Sequence, residues 1–377
     1  MKKNKTINRL SRQTFSIFLI LIFILIHLAC PKEEPPEKAD CPVGKSPCAD
    51  DSTACCWDTT SHNFVWEIDT LGDYGSYLND VAIIDENNVW VVGYIKNGDS
   101  TYNAVHWDGS GWELYRLPAV TYSGSISQGA LTSIYAIGAL NIWCSSDAGS
   151  YVRWNGQCWQ SEWIQDRNGG INAMWGTSSS NMYFVGGGGS IVHYDGNTFT
   201  RIESGIDIPI VDLWGRDEND IYLCQFNSTT GHSGILHYDG NQLESLYYFE
   251  SIVHNSDTLS GAIHTIWIYG DTLYAGYSSG IWKENIFQKK GVVTFWTKIF
   301  SENVYSNKII GQSNNDIFIV GNWMKMAHYN GVSWKSYANI FGNYGTYEAV
   351  DLSENLVCVV GWTDFPKALI VVGKRVM

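Results

Sequence analysis

From about residue 63 to the C-terminus, short apolar runs alternate with polar turns in an order that repeats. The clearest unit is INAMWGTSSSNMYFVGGGGSIVHYDGNTFT, residues 171–200, and its pieces return as VDLWGRDENDIYLCQFNSTTGHSGILHYDGNQLE from Val211 and as IIGQSNNDIFIVGNWMKMAHYNGVSWKSY from Ile309. Each unit starts with an apolar strand (a) that leads into a Ser/Asn/Asp turn. A β-branched and aromatic strand (b), a variable loop and a third strand (c) follow. A DG or NG turn then precedes a last strand (d) that opens with Trp or Phe, as at Trp112, Trp159, Phe199, Trp296 and Trp334. The DG and NG pairs predict tight two-residue hairpins, because both positions tolerate positive φ.

Anchoring on the aromatic after the first turn aligns Trp90, Trp143, Tyr183, Tyr222, Tyr274 and Phe318, with Val357 in a last, truncated copy; the spacings run from 39 to 53 residues. Four short strands at that period predict an all-β chain folded as a β-propeller of about seven four-stranded blades, with six or eight as the alternatives. The seventh copy has no strand d. The segment NFVWEIDT, residues 63–70, reads as that missing strand, and pairing it with the last blade would close the ring and remove two open edges.

WGTSSSNMYFVGGGGSIVHYDG and its sisters resemble the repeats of exported bacterial propellers of the photosystem II assembly-factor and Asp-box (sialidase-like) types. WDGSGW, WNGQCW and YNGVSW match only the G-x-x-W end of the Asp-box, which is a folding device. The arginine triad that the sialidase resemblance would imply has no counterpart, since Arg116, Arg153, Arg167, Arg201 and Arg216 in the first four blades and Arg375 beyond them lie in no motif context. Nothing resembles the nucleotide-sugar site that a glucosyltransferase label on such propellers would imply.

The N-terminus changes the picture of where this body works. Five basic residues and no acid precede an apolar run over 15–29 that is short for a membrane span and of signal-peptide length. Leu28-Ala29-Cys30 resembles the end of a bacterial lipobox, although His27 departs from it. Residues 1–29 are therefore expected to be a signal peptide and Cys30 the lipidated first residue; an uncleaved anchor is the alternative. Either predicts a lipid-anchored or membrane-tethered protein of the cell envelope, extracytoplasmic, at the outer membrane or cell surface. Loss of the leader takes the formal charge from -14 to -19. Such acidity argues against nucleic acid as a partner. Residues 30–62 are Pro- and charge-rich without apolar periodicity, a tether before a propeller domain at 63–377. Of the tether's cysteines, Cys41, Cys48, Cys55 and Cys56 are expected to form disulfides, with free thiols or a metal knot as alternatives. Cys144, Cys158, Cys224 and Cys358 are expected to be small buried apolar groups.

Strand alternation puts the b–c and d–a loops on one face and the a–b and c–d turns on the other. The first face receives the long variable segments, which are rich in aromatics. Tyr94, Tyr122, Trp163, Tyr247, Tyr248, Trp323, Tyr344 and Trp362 are the candidate ligand-binding residues, with Tyr74, Tyr77, Tyr102, Tyr115, Phe249, Phe341 and Phe365 beside them. No H-E-x-x-H, G-x-S-x-G, P-loop or dinucleotide motif occurs, so no catalytic residue, metal site or cofactor is assigned. His106, His193, His237 and His328 repeat before an aromatic of strand c and are expected to form structural hydrogen bonds. The expected function is a binding or scaffold module for a glycan or an exported protein. The alternative is a carbohydrate-active enzyme that uses loop acids such as Asp166, Asp207, Glu250, Asp257 or Asp364, in which a pair of carboxyls would do the chemistry.

Overall fold

The computed structural model describes residues 59–376, apart from 128, 166, 251–261, 278–279, 286–295, 301–304, 338–339 and 341–343, together with the backbone of 45–47 and 55–57. The chain divides into two units, Met1–Asp58 and Thr59–Met377. In the first, Lys45–Pro47 pairs antiparallel with Cys55–Trp57. The leader, Cys30, Cys41 and Cys48 lie outside the described residues, as do Asp166, Asp257 and Phe341 among the loop candidates.

The second unit is a propeller of seven four-stranded antiparallel sheets. Blades 1 to 6 span 77–115, 131–163, 171–202, 210–249, 263–300 and 306–336. Blade 7 spans 345–375 and takes Phe64–Leu71 as its fourth strand, in register with Ala368–Arg375 from Phe64 opposite Arg375 to Leu71 opposite Ala368. The N-terminal closure read from the repeats is therefore present.

Burial explains the residue choice in each strand. The b strands are flanked by neighbouring blades on both faces, and Asn181–Gly186 and Asp316–Gly321 are buried throughout. The d strands form the rim, so Trp159–Trp163 alternates between half-buried and exposed residues. Aromatics interleave across the seams: Trp143 of blade 2 meets Phe184 and Tyr194 of blade 3 at 5.8 and 5.4 Å.

Around the axis, a polar side chain of each a strand reaches the backbone of the next. Asn79 donates to the Leu131 carbonyl, Thr132 to Ile171, Asn172 to Ile210 and Asn307 to Tyr347. Asp212 accepts from Ile266 N–H, Thr265 from Ile309 N–H and Asp351 from Ile83 N–H. All seven seams are stitched in this way.

Three local expectations need correction. The DG and NG turns are four-residue loops rather than two-residue hairpins. Asp195 Oδ1 accepts from the N–H groups of Asn197 and Thr198, so only Gly196 needs positive φ, at 96°. The residue of blade 7 equivalent to the aromatic anchor is Cys358, not Val357, because the Leu352–Val357 pair closes the a–b turn without the bulge seen at Gly176/Ser178. Cys158 is exposed in a c–d loop, whereas Cys144, Cys224 and Cys358 are buried as expected.

Candidate functional site

The exposed aromatics separate by face. Tyr74, Tyr122, Tyr248, Tyr305, Trp323, Tyr344 and Phe365 all lie on b–c or d–a connections or at their edge, and Tyr269 alone among the described exposed aromatics lies on the opposite turns. Four of them, Tyr74, Tyr122, Tyr344 and Phe365, are between 71% and 82% exposed, well beyond what packing over the ends of a core explains.

Around blades 6, 7 and 1 these rings form an arc. Trp323, 55% exposed, lies 5.1 Å from Tyr305. Between Asp316–Gly321 and Lys325–Tyr329 the chain turns through Asn322–Lys325, whose carbonyl and N–H ends meet at 3.3 Å and whose central residues Trp323 and Met324 both take left-handed φ, 57° and 55°. Asn-Gly is the usual occupant of such a turn, and bulky residues there store strain of about 1 kcal/mol or more each. Met324 is buried against Gly345 and anchors the turn, leaving Trp323 held outward. On the next loop, the Pro366 carbonyl accepts from Gly75 N–H at 2.7 Å, which fixes the segment bearing Phe365 against the one bearing Tyr74.

The predicted residues divide accordingly. Tyr122, Tyr248, Trp323 and Tyr344 are exposed on this face. Tyr122 rides on an added hairpin, Ala119–Val120 with Ile126–Ser127, which accounts for the long spacing between the first two repeats; its ring meets Trp163 edge-on at 4.8 Å. Trp163 itself is half-buried, donates to the Ala148 carbonyl and carries the Arg167 guanidinium 4.7 Å from its ring. Trp362 is half-buried and donates to Glu348, whose carboxyl is held above the usual range by burial. Tyr94 packs on Tyr77 at 5.9 Å. Tyr247 turns inward onto Phe249 and Trp296, and burial raises its phenol to about 12; it belongs to the core of blades 4 and 5. Sequence reading missed Tyr305, which sits in a short connection without the length that marked the other loops.

The central channel, a cavity of about 240 Å³, is lined by the Asp80 and Asp351 carboxyls and the Lys308 ammonium, which pairs with the buried Asp212; sequence reading missed all four. Asp80 accepts from Val81, Ile134 and Ser133, and Asp351 from Ile83 and Leu352. Asp212 accepts from Leu213, Ile266, Thr265 and Lys308, the last at 2.9 Å. Burial raises the Asp351 carboxyl to about 6. Burial pulls the Lys308 ammonium down, but Asp212 and Asp80 hold it above the ordinary lysine value. Each carboxylate has both oxygens occupied, Oδ2 by a backbone N–H of the next blade and Oδ1 by the amide of the following residue in its own strand. The loop acids Asp207, Glu250 and Asp364 are exposed and outside this channel. The four repeated histidines make the structural bonds expected of them, each to an Asn or Asp that starts strand b: His106 to Asn88, His193 to Asn181, His237 to Asp220 and His328 to Asp316, at 2.7 to 2.9 Å.

No family model matches the chain, and no curated protein matches its sequence. Solved propellers do match its fold. A YCF48 structure described as bound to a D1 peptide superposes with a TM-score of 0.61 at 14% identity, covering 90% of this chain and all of that one. YCF48 from Cyanidioschyzon merolae gives 0.58 at 10% identity, over 81% of this chain and 98% of that one. The WD40 propeller domain of Doa1 gives 0.56 at 13%, over 83% and 98%. At these identities the likeness is one of fold.

Proposed function

We propose that this chain is a non-enzymatic binding scaffold of the cell envelope, tethered through a lipidated Cys30, whose b–c and d–a loop face holds a segment of an exported protein. The observation that carries the reading is the concentration of exposed rings on that face, with Trp323 presented by a strained turn. Tyr and Trp supply large contact area for little conformational entropy, which suits them to protein recognition. Rings distributed from Tyr122 through Trp323 to Phe365 fit an extended or broad ligand better than one sugar ring. The YCF48 structure described with a D1 peptide shows that a propeller of similar fold carries a peptide ligand. A binding role also accords with channel carboxylates committed to backbone amides and with loop acids that stand exposed.

The test captures envelope proteins and glycans on the immobilised wild type and on Trp323→Ala, Tyr344→Ala and Phe365→Ala, with Tyr269→Ala on the opposite turns as control. A protein ligand lost by the first three variants and kept by the control supports the proposal. Capture of glycan alone would transfer the site to carbohydrate, and undiminished capture by all three would remove the loop face from consideration. Tethering is tested separately, by labelling cells with clickable palmitate: the wild type is tagged and Cys30→Ala is not, and a label that persists in Cys30→Ala contradicts lipidation there.

A further inference from the structure

Six blades share a packing device that the seventh lacks. In blades 1, 3, 4 and 6 the aromatic of strand b stacks on the histidine opposite it in strand c: Trp90 on His106, Tyr183 on His193, Tyr222 on His237 and Phe318 on His328, with ring centroids 4.2 to 4.6 Å apart. Blade 2 sets Arg153 over Trp143 at 4.6 Å, and blade 5 sets Lys283 opposite Tyr274. These pairs fill the seam to the following blade, as where Trp90 meets Trp159 and Tyr183 meets Tyr238. In blade 7 the equivalent pair is Cys358 opposite Val372, much smaller than any of the six. The seam between blades 7 and 1 consequently encloses a cavity of about 360 Å³, the size of a small-ligand site.

The lining of this cavity is amphipathic. Cys358 and Val372 form an apolar floor, and Trp107 and Trp112 of blade 1, 5.4 Å apart, form one wall. Glu67, Asp69 and Glu86 stand around it. Of the two cations that also line it, Lys374 lies 3.4 Å from Glu67, and Arg375 gives its guanidinium to Asp316 at 2.7 Å. Asp69 and Glu86 have no ion-pair partner among the described residues, so the seam carries excess negative charge.

We propose that this seam is a binding site for a lysine or arginine side chain of a basic protein segment. The aliphatic stem lies between the tryptophan wall and the apolar floor, and the cationic head reaches Asp69 and Glu86, with the indole faces adding cation–π attraction. The site opens among the a–b and c–d turns, opposite the aromatic loop face, so it stands or falls independently of the function proposed above.

The probe is a fluorescently labelled hexalysine peptide titrated by anisotropy into the full-length protein. Wild type binds, Asp69→Asn/Glu86→Gln weakens binding about tenfold or more, and Cys358→Phe, which fills the cavity, weakens it as well. The charge-matched control Glu162→Gln/Glu244→Gln, on exposed d-strand positions of blades 2 and 4, changes binding by less than about twofold. The acid pair lies on the surface and leaves folding intact, so it decides the matter if Cys358→Phe does not fold. No wild-type binding, equal loss in the control pair, or full retention in Asp69→Asn/Glu86→Gln overturns the proposal.

Discussion

Single buried ionisable groups set how this fold responds to acid. His264 sits edge-on to Phe226 at 4.4 Å, and burial pulls its imidazole from 6.5 down to about 4. The folded state prefers the neutral ring, while in the unfolded chain the same ring protonates near 6.5. Its contribution is therefore fully present above pH 6.5 and is lost as pH falls towards 4, by about 3 kcal/mol. Asp351 runs the opposite way: with its carboxyl raised to about 6, its contribution is present below about pH 4 and lost as pH rises through 6. Chemical denaturation at pH 7.5 and 4.5 should show that His264→Leu loses about 2 to 3 kcal/mol less stability than wild type between the two; equal losses would refute the assignment. Neither group was legible in the sequence, because a lone His or Asp in an apolar run shows its chemistry only once neighbouring blades cover it. The same limit applied to Trp323. Its exposure was legible from its place in a variable loop, but the left-handed turn that holds it outward came from Met324 packing on Gly345.

At the scale of the element, the c–d loops isolate what glycine does. Gly196 and Gly156 have nearly the same φ, 96° and 88°, but a Cβ at Gly196 would lie 2.6 Å from the Ser180 Cβ, whereas one at Gly156 would first meet Leu140 at 3.4 Å. Both alanine variants carry the backbone penalty of about 1 to 2 kcal/mol. Gly196→Ala adds the displacement of Ser180, so it should cost about 1 kcal/mol more than Gly156→Ala in thermal or urea unfolding. Equal costs would show that the a–b turn yields freely. The glycines and the Asp or Asn before them announced the turns, but not their length, since the same dipeptide serves a two-residue hairpin and a four-residue loop closed by an Asp side chain. Strand order and the seven sheets were legible because each blade repeats one pattern of apolar runs and turn residues. The one-residue shift at Cys358 was not, because the a–b turn bulge of blades 1, 3, 4 and 6 is absent from blade 7 and no residue type announces its loss.

For the whole molecule the decisive event is closure, since an N-terminal strand that leaves blade 7 exposes two unpaired strand edges. Strand Phe64–Leu71 closes blade 7, and Arg375 locks the closure. Its guanidinium donates to both oxygens of Asp316 in blade 6 at 2.7 Å, to the Ser61 carbonyl at 2.8 Å and to the Glu354 carbonyl at 3.0 Å, and it lies 4.8 Å from the Phe64 ring. One side chain thus joins the incoming N-terminal segment, the last blade and its neighbour. Arg375 and Asp316 are 9% and 6% exposed, so loss of the cation leaves a buried carboxylate to His328 alone, and Arg375→Leu should cost about 3 to 5 kcal/mol. Arg375→Lys keeps the charge without the forked donor geometry and should fall between the two. The double variant Asp316→Leu/Arg375→Leu removes both charges and should recover part of the loss, which separates an unpaired buried carboxylate from simple loss of packing. Limited proteolysis followed by mass spectrometry gives the structural readout: in Arg375→Leu the first cuts should fall between residues 59 and 71, ahead of any cut in blades 2 to 5. If Arg375→Leu unfolds within 1 kcal/mol of wild type and its first cuts lie elsewhere, strand pairing alone closes the ring and the arginine clasp is incidental.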